Sequence, residues 1–207
     1  MTPDRPSDRR GVEPKKPVPH RSPEYYMKAA LRQAAKAAGL LETPIGAVIV
    51  RDGVIIAASH NLRESRQDIT LHAEMSAIRK ACRKLGSWRL DGCDLYVTLE
   101  PCIMCAGAIQ QARIRSVVFG AKQPKSGGVL SKARIFDLPL NHRVEYRGGV
   151  LAEESEALMK AFFARMREMD KSSGLSKGQR RSRQKSGGPV AGLVGNAAEE
   201  PSRESGL

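Results

Sequence analysis

The sequence predicts an α/β fold, and three observations predict it. Two β-rich runs flank Asp52-Gly53, a dipeptide that closes a two-residue hairpin because both positions tolerate the positive φ such a turn needs. Downstream, short β-rich segments alternate with segments whose apolar residues recur at helical spacing. Helical patterns also stand at both ends of this region. Strands alternating with helices imply βαβ units and a sheet covered by helices.

Each element has its own signal. Ser22-Pro23 marks a helix start, a capping hydroxyl followed by proline at the first helical position. YYMKAALRQAAKAAG continues that helix to a stop at Gly39. IGAVIVRDGVIIAAS is the hairpin. HNLRESRQDIT is polar and reads as a loop, and HAEMSAIRKACRKLG as a helix ending at Gly86. DLYVTLE is a short strand, CIMCAGAIQQA a helix and SVVFGA another strand. AKQPKSGG carries turn residues, HRVEYRGGVL reads as extended, and EESEALMKAFFARMRE as an amphipathic helix. No internal repeat breaks this order.

Composition bounds the class. The 207 residues, 41% of them hydrophobic, suffice for one domain with a sizeable core, expected over residues 22–170. No apolar run approaches the roughly 18 residues that span a bilayer, and the N-terminal stretch lacks the apolar centre of a secretory signal. The chain is therefore expected to be cytoplasmic, with no membrane partner and with its thiols reduced. Its four cysteines, Cys82, Cys93, Cys102 and Cys105, then read as metal ligands or buried thiols rather than disulfides.

The net charge of +13 is concentrated at the ends. Residues 1–23 carry six Lys and Arg against three acids, and residues 171–207 carry seven against three. These segments are rich in Pro, Ser, Gly and Arg and nearly lack aromatics, so residues 1–21 and 171–207 are expected to be disordered tails. Such tails serve either as solubilising linkers or as non-specific attractors of nucleic acid.

The chemistry concentrates in two short motifs. Cys102 and Cys105 open a predicted helix directly after a strand, and positions i and i+3 share one helical face. The positive helix end favours thiolates there. Thirty residues earlier His72 opens another predicted helix, with Glu74 two positions on. A Cys-x-x-Cys can be a redox pair, part of a closed structural zinc site, or part of a catalytic one. A redox pair leaves His72 and Glu74 unexplained. A structural site needs a fourth ligand. Cys82 falls mid-helix, Cys93 in a turn, and His20, His60 and His142 in loops or tails, none at ligand spacing. Three ligands beside a carboxylate match what hydrolysis by a metal-bound water requires.

The pairing of HAE at 72–74 with PCIMC at 101–105 resembles the signature of the zinc-dependent nucleobase deaminases. The wider string LGSWRLDGCDLYVTLEPCIMCAGAI, then ARI, VVFGAK, NHRVE and GVLAEE, resembles the bacterial tRNA-specific adenosine deaminases over about residues 24 to 168. That resemblance implies a cytidine-deaminase-like three-layer α/β/α fold with a central mixed five-stranded sheet. It implies one zinc ion per subunit on His72, Cys102 and Cys105, with Glu74 as acid and base. It implies a tRNA anticodon stem-loop as substrate, inosine at the wobble position as product, and a homodimer. Asn61 is expected to contact the base or its sugar, and Lys125, with Lys122, a phosphate. A deaminase of a free base, of guanine or cytosine type, is the alternative, and an RNA-binding module with structural zinc a further one. The chain departs from the family pattern at Gln123, where an acidic residue is usual, and at Ile69 and Leu71, where Pro and Ala are expected.

Overall fold

The computed structural model describes residues 21–172 and residue 174. The two basic segments lie almost entirely outside the described residues. Five strands form one sheet in the order β2-β1-β3-β4-β5. The hairpin strands β1 (Gly46–Arg51) and β2 (Val54–His60) pair antiparallel, and β1 also pairs antiparallel with β3 (Cys93–Leu99). Beyond β3, the strands β4 (Ser116–Ala121) and β5 (Glu145–Arg147) run parallel to it. The sheet is mixed, as expected.

The hairpin turns where the sequence places it. Asp52 has φ 50° and Gly53 φ 75°, the positive pair that keeps the turn's twist in step with its strands. Strand alternation then sorts the sheet into two faces. Val48, Val50, Tyr96 and Val118 pack with Tyr26, Met27, Ala29 and Ala30 of α1 (Pro23–Gly39). Ala47, Ile49, Leu95, Val97, Val117 and Phe119 face the other way. They pack with Ala73, Ala77 and Ala81 of α3 (Ala73–Leu85) and with Ala106 and Ile109 of α4 (Ile103–Gln111). The C-terminal helix α5 (Ala152–Ser172) lies against β4 and α1, so helices cover both faces. It ends two residues past the expected domain edge at 170.

Several local expectations need correction. Ser22 occupies the N-cap of α1, but its side chain makes no capping bond; its carbonyl accepts the Tyr25 N–H instead, at 3.0 Å. Gly39 ends α1, yet the left-handed residue is Leu41, at φ 59°. The stretch 60–70 is not all loop. His60 completes β2 by pairing with Gly46, and α2 (Arg63–Arg66) makes one helical turn. Only three residues of HRVEYRGGVL form a strand, because β5 is an edge and turns follow it. A 3-10 turn at Ile135–Asp137 has no strong sequence signal.

Candidate active site

Two helix starts carry the motif residues. His72 is the N-cap of α3 and Cys102 the N-cap of α4, and both have extended backbone, at φ/ψ of −65°/155° and −71°/172°. Pro101 enforces the break between β3 and α4. It has no N–H to continue a ladder, and its carbonyl accepts the Gly128 N–H at 2.7 Å. Cys105 and Glu74 then lie in the first turns of their helices, both buried.

The fold brings these residues together. His72 Nδ1 lies 3.7 Å from Cys102 Sγ and 3.5 Å from Cys105 Sγ. All three donor atoms fall within 4.8 Å of one another. Two sulfurs and one imidazole nitrogen form a borderline-soft donor set that fits a metal ion. The Cys105 thiol donates to Cys102 and, with His72 adding to the pull, draws Cys102 down to about 4. The same shared proton, together with burial, pushes Cys105 up, and the bond to Cys102 raises His72. A cation that displaces the shared proton turns the pair into two thiolates. Burial pushes the Glu74 carboxyl up, and its Oε2 has no hydrogen-bond partner among the described residues.

His72, Glu74 and Cys102 line a cavity of about 420 Å³. Asn61, Arg63, the loop residues Gln123, Pro124, Lys125 and Ser126, and Met159 and Phe163 of α5 also line it. Asn61 is buried, and its Nδ2 donates to Glu42 Oε2 at 2.9 Å. Lys125 lines the cavity, whereas Lys122 is not among its lining residues. Ile69 is exposed, and Leu71 accepts the Leu62 N–H across the segment that carries α2. Among the described residues His60 and His142 join no donor cluster: His60 Nδ1 meets Gln33 Oε1 at 3.3 Å, and His142 Nε2 meets the Ile114 carbonyl at 2.8 Å. Cys93 is buried and Cys82 half-buried, both free thiols away from the ligand group. A larger hollow of about 840 Å³ runs along residues Phe136 to Tyr146, and none of the donor residues lines it.

Sequence reasoning missed two buried carboxylates. Glu42 accepts from Asn61 and from the first turn of α2. Glu100 gathers the loop after β4. It accepts the backbone N–H of Gln123, Val129, Leu130 and Ser131 at 2.7 to 3.2 Å, and also the Ser131 hydroxyl. Gly127 and Gly128 allow this closeness, since a Cβ on Gly127 would stand 2.4 Å from the Glu100 carboxylate and one on Gly128 2.8 Å from the Ile103 nitrogen. Glu100 therefore binds the backbone of Gln123, whose side chain departs from the family pattern. The one sequence signal is a glutamate just before Pro-Cys at a strand end, too slight to single it out.

Residues 21–167 match the family model of the MafB19-like deaminases. The chain is 50% identical over 150 residues to a tRNA-specific adenosine deaminase of Bacillus subtilis, covering 72% of this chain and 92% of that protein. It is also 50% identical over 145 residues to one of Aquifex aeolicus, covering 70% and 95%. The chain belongs to the tRNA-specific adenosine deaminases. A solved structure from work on A-to-I editing by tRNA:A34 deaminases agrees with this deaminase chain at a TM-score of 0.63 and 47% identity, covering 65% of this chain and 98% of its own. A guanine deaminase from Nitrosomonas europaea shares the fold, at a TM-score of 0.63 and 23% identity, covering 72% and 89%. The cytidine-deaminase-like expectation is met, with helices on both faces of a mixed five-stranded sheet.

Proposed function

We propose that His72, Cys102 and Cys105 hold one zinc ion per subunit and that Glu74 is the catalytic acid and base. One observation carries this reading. Glu74 Oε2 is buried without a partner among the described residues, and its residue lines the same cavity as His72 and Cys102 of the donor set. Two thiolates and an imidazole suit zinc, and three protein ligands leave a position for water. Bound there, zinc acidifies a water and so supplies a nucleophile near neutral pH.

The reaction is hydrolytic deamination of adenosine to inosine at the wobble position of a tRNA anticodon. Glu74 takes a proton from the water that adds to C6 of adenine, passes one to N1, and delivers the next to the departing amine. The C6–O bond forms, the C6–N bond breaks, and ammonia leaves. A carboxyl pushed up by burial suits both the taking and the giving. Asn61 contacts the nucleoside, and Lys125 a phosphate of the anticodon stem-loop, whose unpaired bases can be splayed into a pocket. The catalytic domain spans residues 22–170. The enzyme acts as a homodimer in the cytoplasm, where its tRNA substrate is.

The test is inosine formation. Zinc-loaded protein incubated with a tRNA anticodon stem-loop is expected to convert its wobble adenosine, read by nucleoside analysis, and to leave free adenine, guanine and cytosine unchanged. Turnover of free bases alone overturns the tRNA reading, and bound zinc without ammonia release overturns the enzyme.

A further inference from the structure

We propose that Glu42 is a positioning residue for this site, its carboxylate setting which end of the Asn61 amide faces the cavity. The proposal rests on the reading that Asn61 touches substrate. Glu42 lies fully buried between α1 and β1. Its backbone is pinned there, since its N–H donates to the Ala37 carbonyl at 3.0 Å just after left-handed Leu41. A buried carboxylate is costly unless its oxygens are satisfied. Three donors converge on this one. Asn61 Nδ2 at 2.9 Å and the Glu64 N–H at 3.2 Å meet Oε2, and the Ser65 N–H at 2.6 Å meets Oε1.

Both Glu42 oxygens already accept N–H donors, so the nitrogen end of the Asn61 amide faces the carboxylate. The reversed amide would set two acceptors against each other in a buried place, at the cost of an unmade hydrogen bond. Oδ1 is thereby turned away from Glu42 and left as the acceptor for the cavity that Asn61 lines. The ring nitrogens of adenine accept, whereas its exocyclic amine and the ribose hydroxyls donate, so a fixed Oδ1 selects the donors. The same carboxylate ties down the first turn of α2, which carries Arg63 to the cavity wall. One buried group thus sets both an amide orientation and a rim.

The experiment is a double-mutant cycle in the zinc-loaded full chain. The readouts are kcat/KM on tRNA, zinc content and thermal melting. Glu42→Gln keeps size but turns one acceptor into a donor, so Asn61 can flip. It is expected to lower kcat/KM about 10- to 100-fold with zinc content unchanged, and to add little to the loss in Asn61→Ala. Losses that simply multiply overturn the positioning role alone. An Asn61→Ala chain with the parent's kcat/KM overturns the substrate contact and this proposal with it. Asn61→Asp provides a second arm, should Glu42→Gln fail to fold. Alone it sets carboxylate against carboxylate. Combined with Glu42→Gln it re-forms the hydrogen bond in reverse, with an oxygen still toward the cavity. The pair is expected to recover about tenfold over Asn61→Asp, and no recovery overturns the proposal.

Discussion

His72 Nδ1 lies 3.5 Å from Cys105 Sγ although 33 residues separate them. Neither residue can close that distance alone, because each is held at the start of a different helix. Replacing Cys102 or Cys105 by Ser is predicted to reduce bound zinc from about one ion per chain to a trace, since two protein ligands hold the ion far more weakly than three. Metal analysis of the purified variants decides it. Full zinc content in either variant would remove that cysteine from the site.

Glu74→Ala is predicted to keep both the fold and the zinc while losing activity. Glu74 lines the cavity but is no member of the donor group. General acid–base catalysis is worth about 10² to 10⁴ in rate, and one group serving several proton transfers belongs at the upper end or beyond. Single-turnover rates measured beside metal content make the check. Lost zinc in this variant makes Glu74 a ligand instead.

Glu100→Gln is predicted to destabilise the fold by about 2 kcal/mol or more, because an amide cannot accept from all the donors a carboxylate takes. Those donors span Gln123 to Ser131, so the loop that carries Lys125 loosens with it. Thermal denaturation, with protease sensitivity of residues 122–131, reads both effects. A variant as stable as the parent would show that the loop holds itself.

His60 gives a pH dependence of known sign. Burial lowers its pKa, with Lys80 and Lys36 adding to the effect and Glu42 opposing it. The unfolded state therefore binds the proton more readily. The contribution to stability is complete above about pH 6.5 and is lost as pH falls from there toward the lowered folded value. Against the parent, His60→Asn is predicted to flatten the stability profile in that window. Parallel profiles from pH 7 to pH 5 would refute it.

The basic tails make a prediction about substrate binding. A chain of residues 22–170 is predicted to keep its turnover at saturating tRNA, yet to bind tRNA more weakly and with a shallower salt dependence. Each phosphate that a tail neutralises adds close to one unit to the salt slope. The run KGQRRSRQK, five basic residues in nine, is expected to contribute most. Equal affinities and slopes for the two chains would make the tails inert.

The sequence by itself determined the fold class and picked out the residues of the candidate site. Asp52-Gly53 announces its hairpin because a two-residue turn accepts few dipeptides. His72, Glu74, Cys102 and Cys105 announce themselves because each pair sits within one helical turn, so their spacing is written in nearby letters. Only the tertiary structure decided what Glu42 and Glu100 do. A glutamate in a sequence reads as a solvated charge, since burial is rare for that side chain. Their partners are Asn61, Glu64 and Ser65 for one and Gln123 to Ser131 for the other, 19 to 31 residues away. Most of those partners are backbone N–H groups, which every residue but proline carries. No local pattern marks such a bond, so it exists only once the chain has closed around the carboxylate.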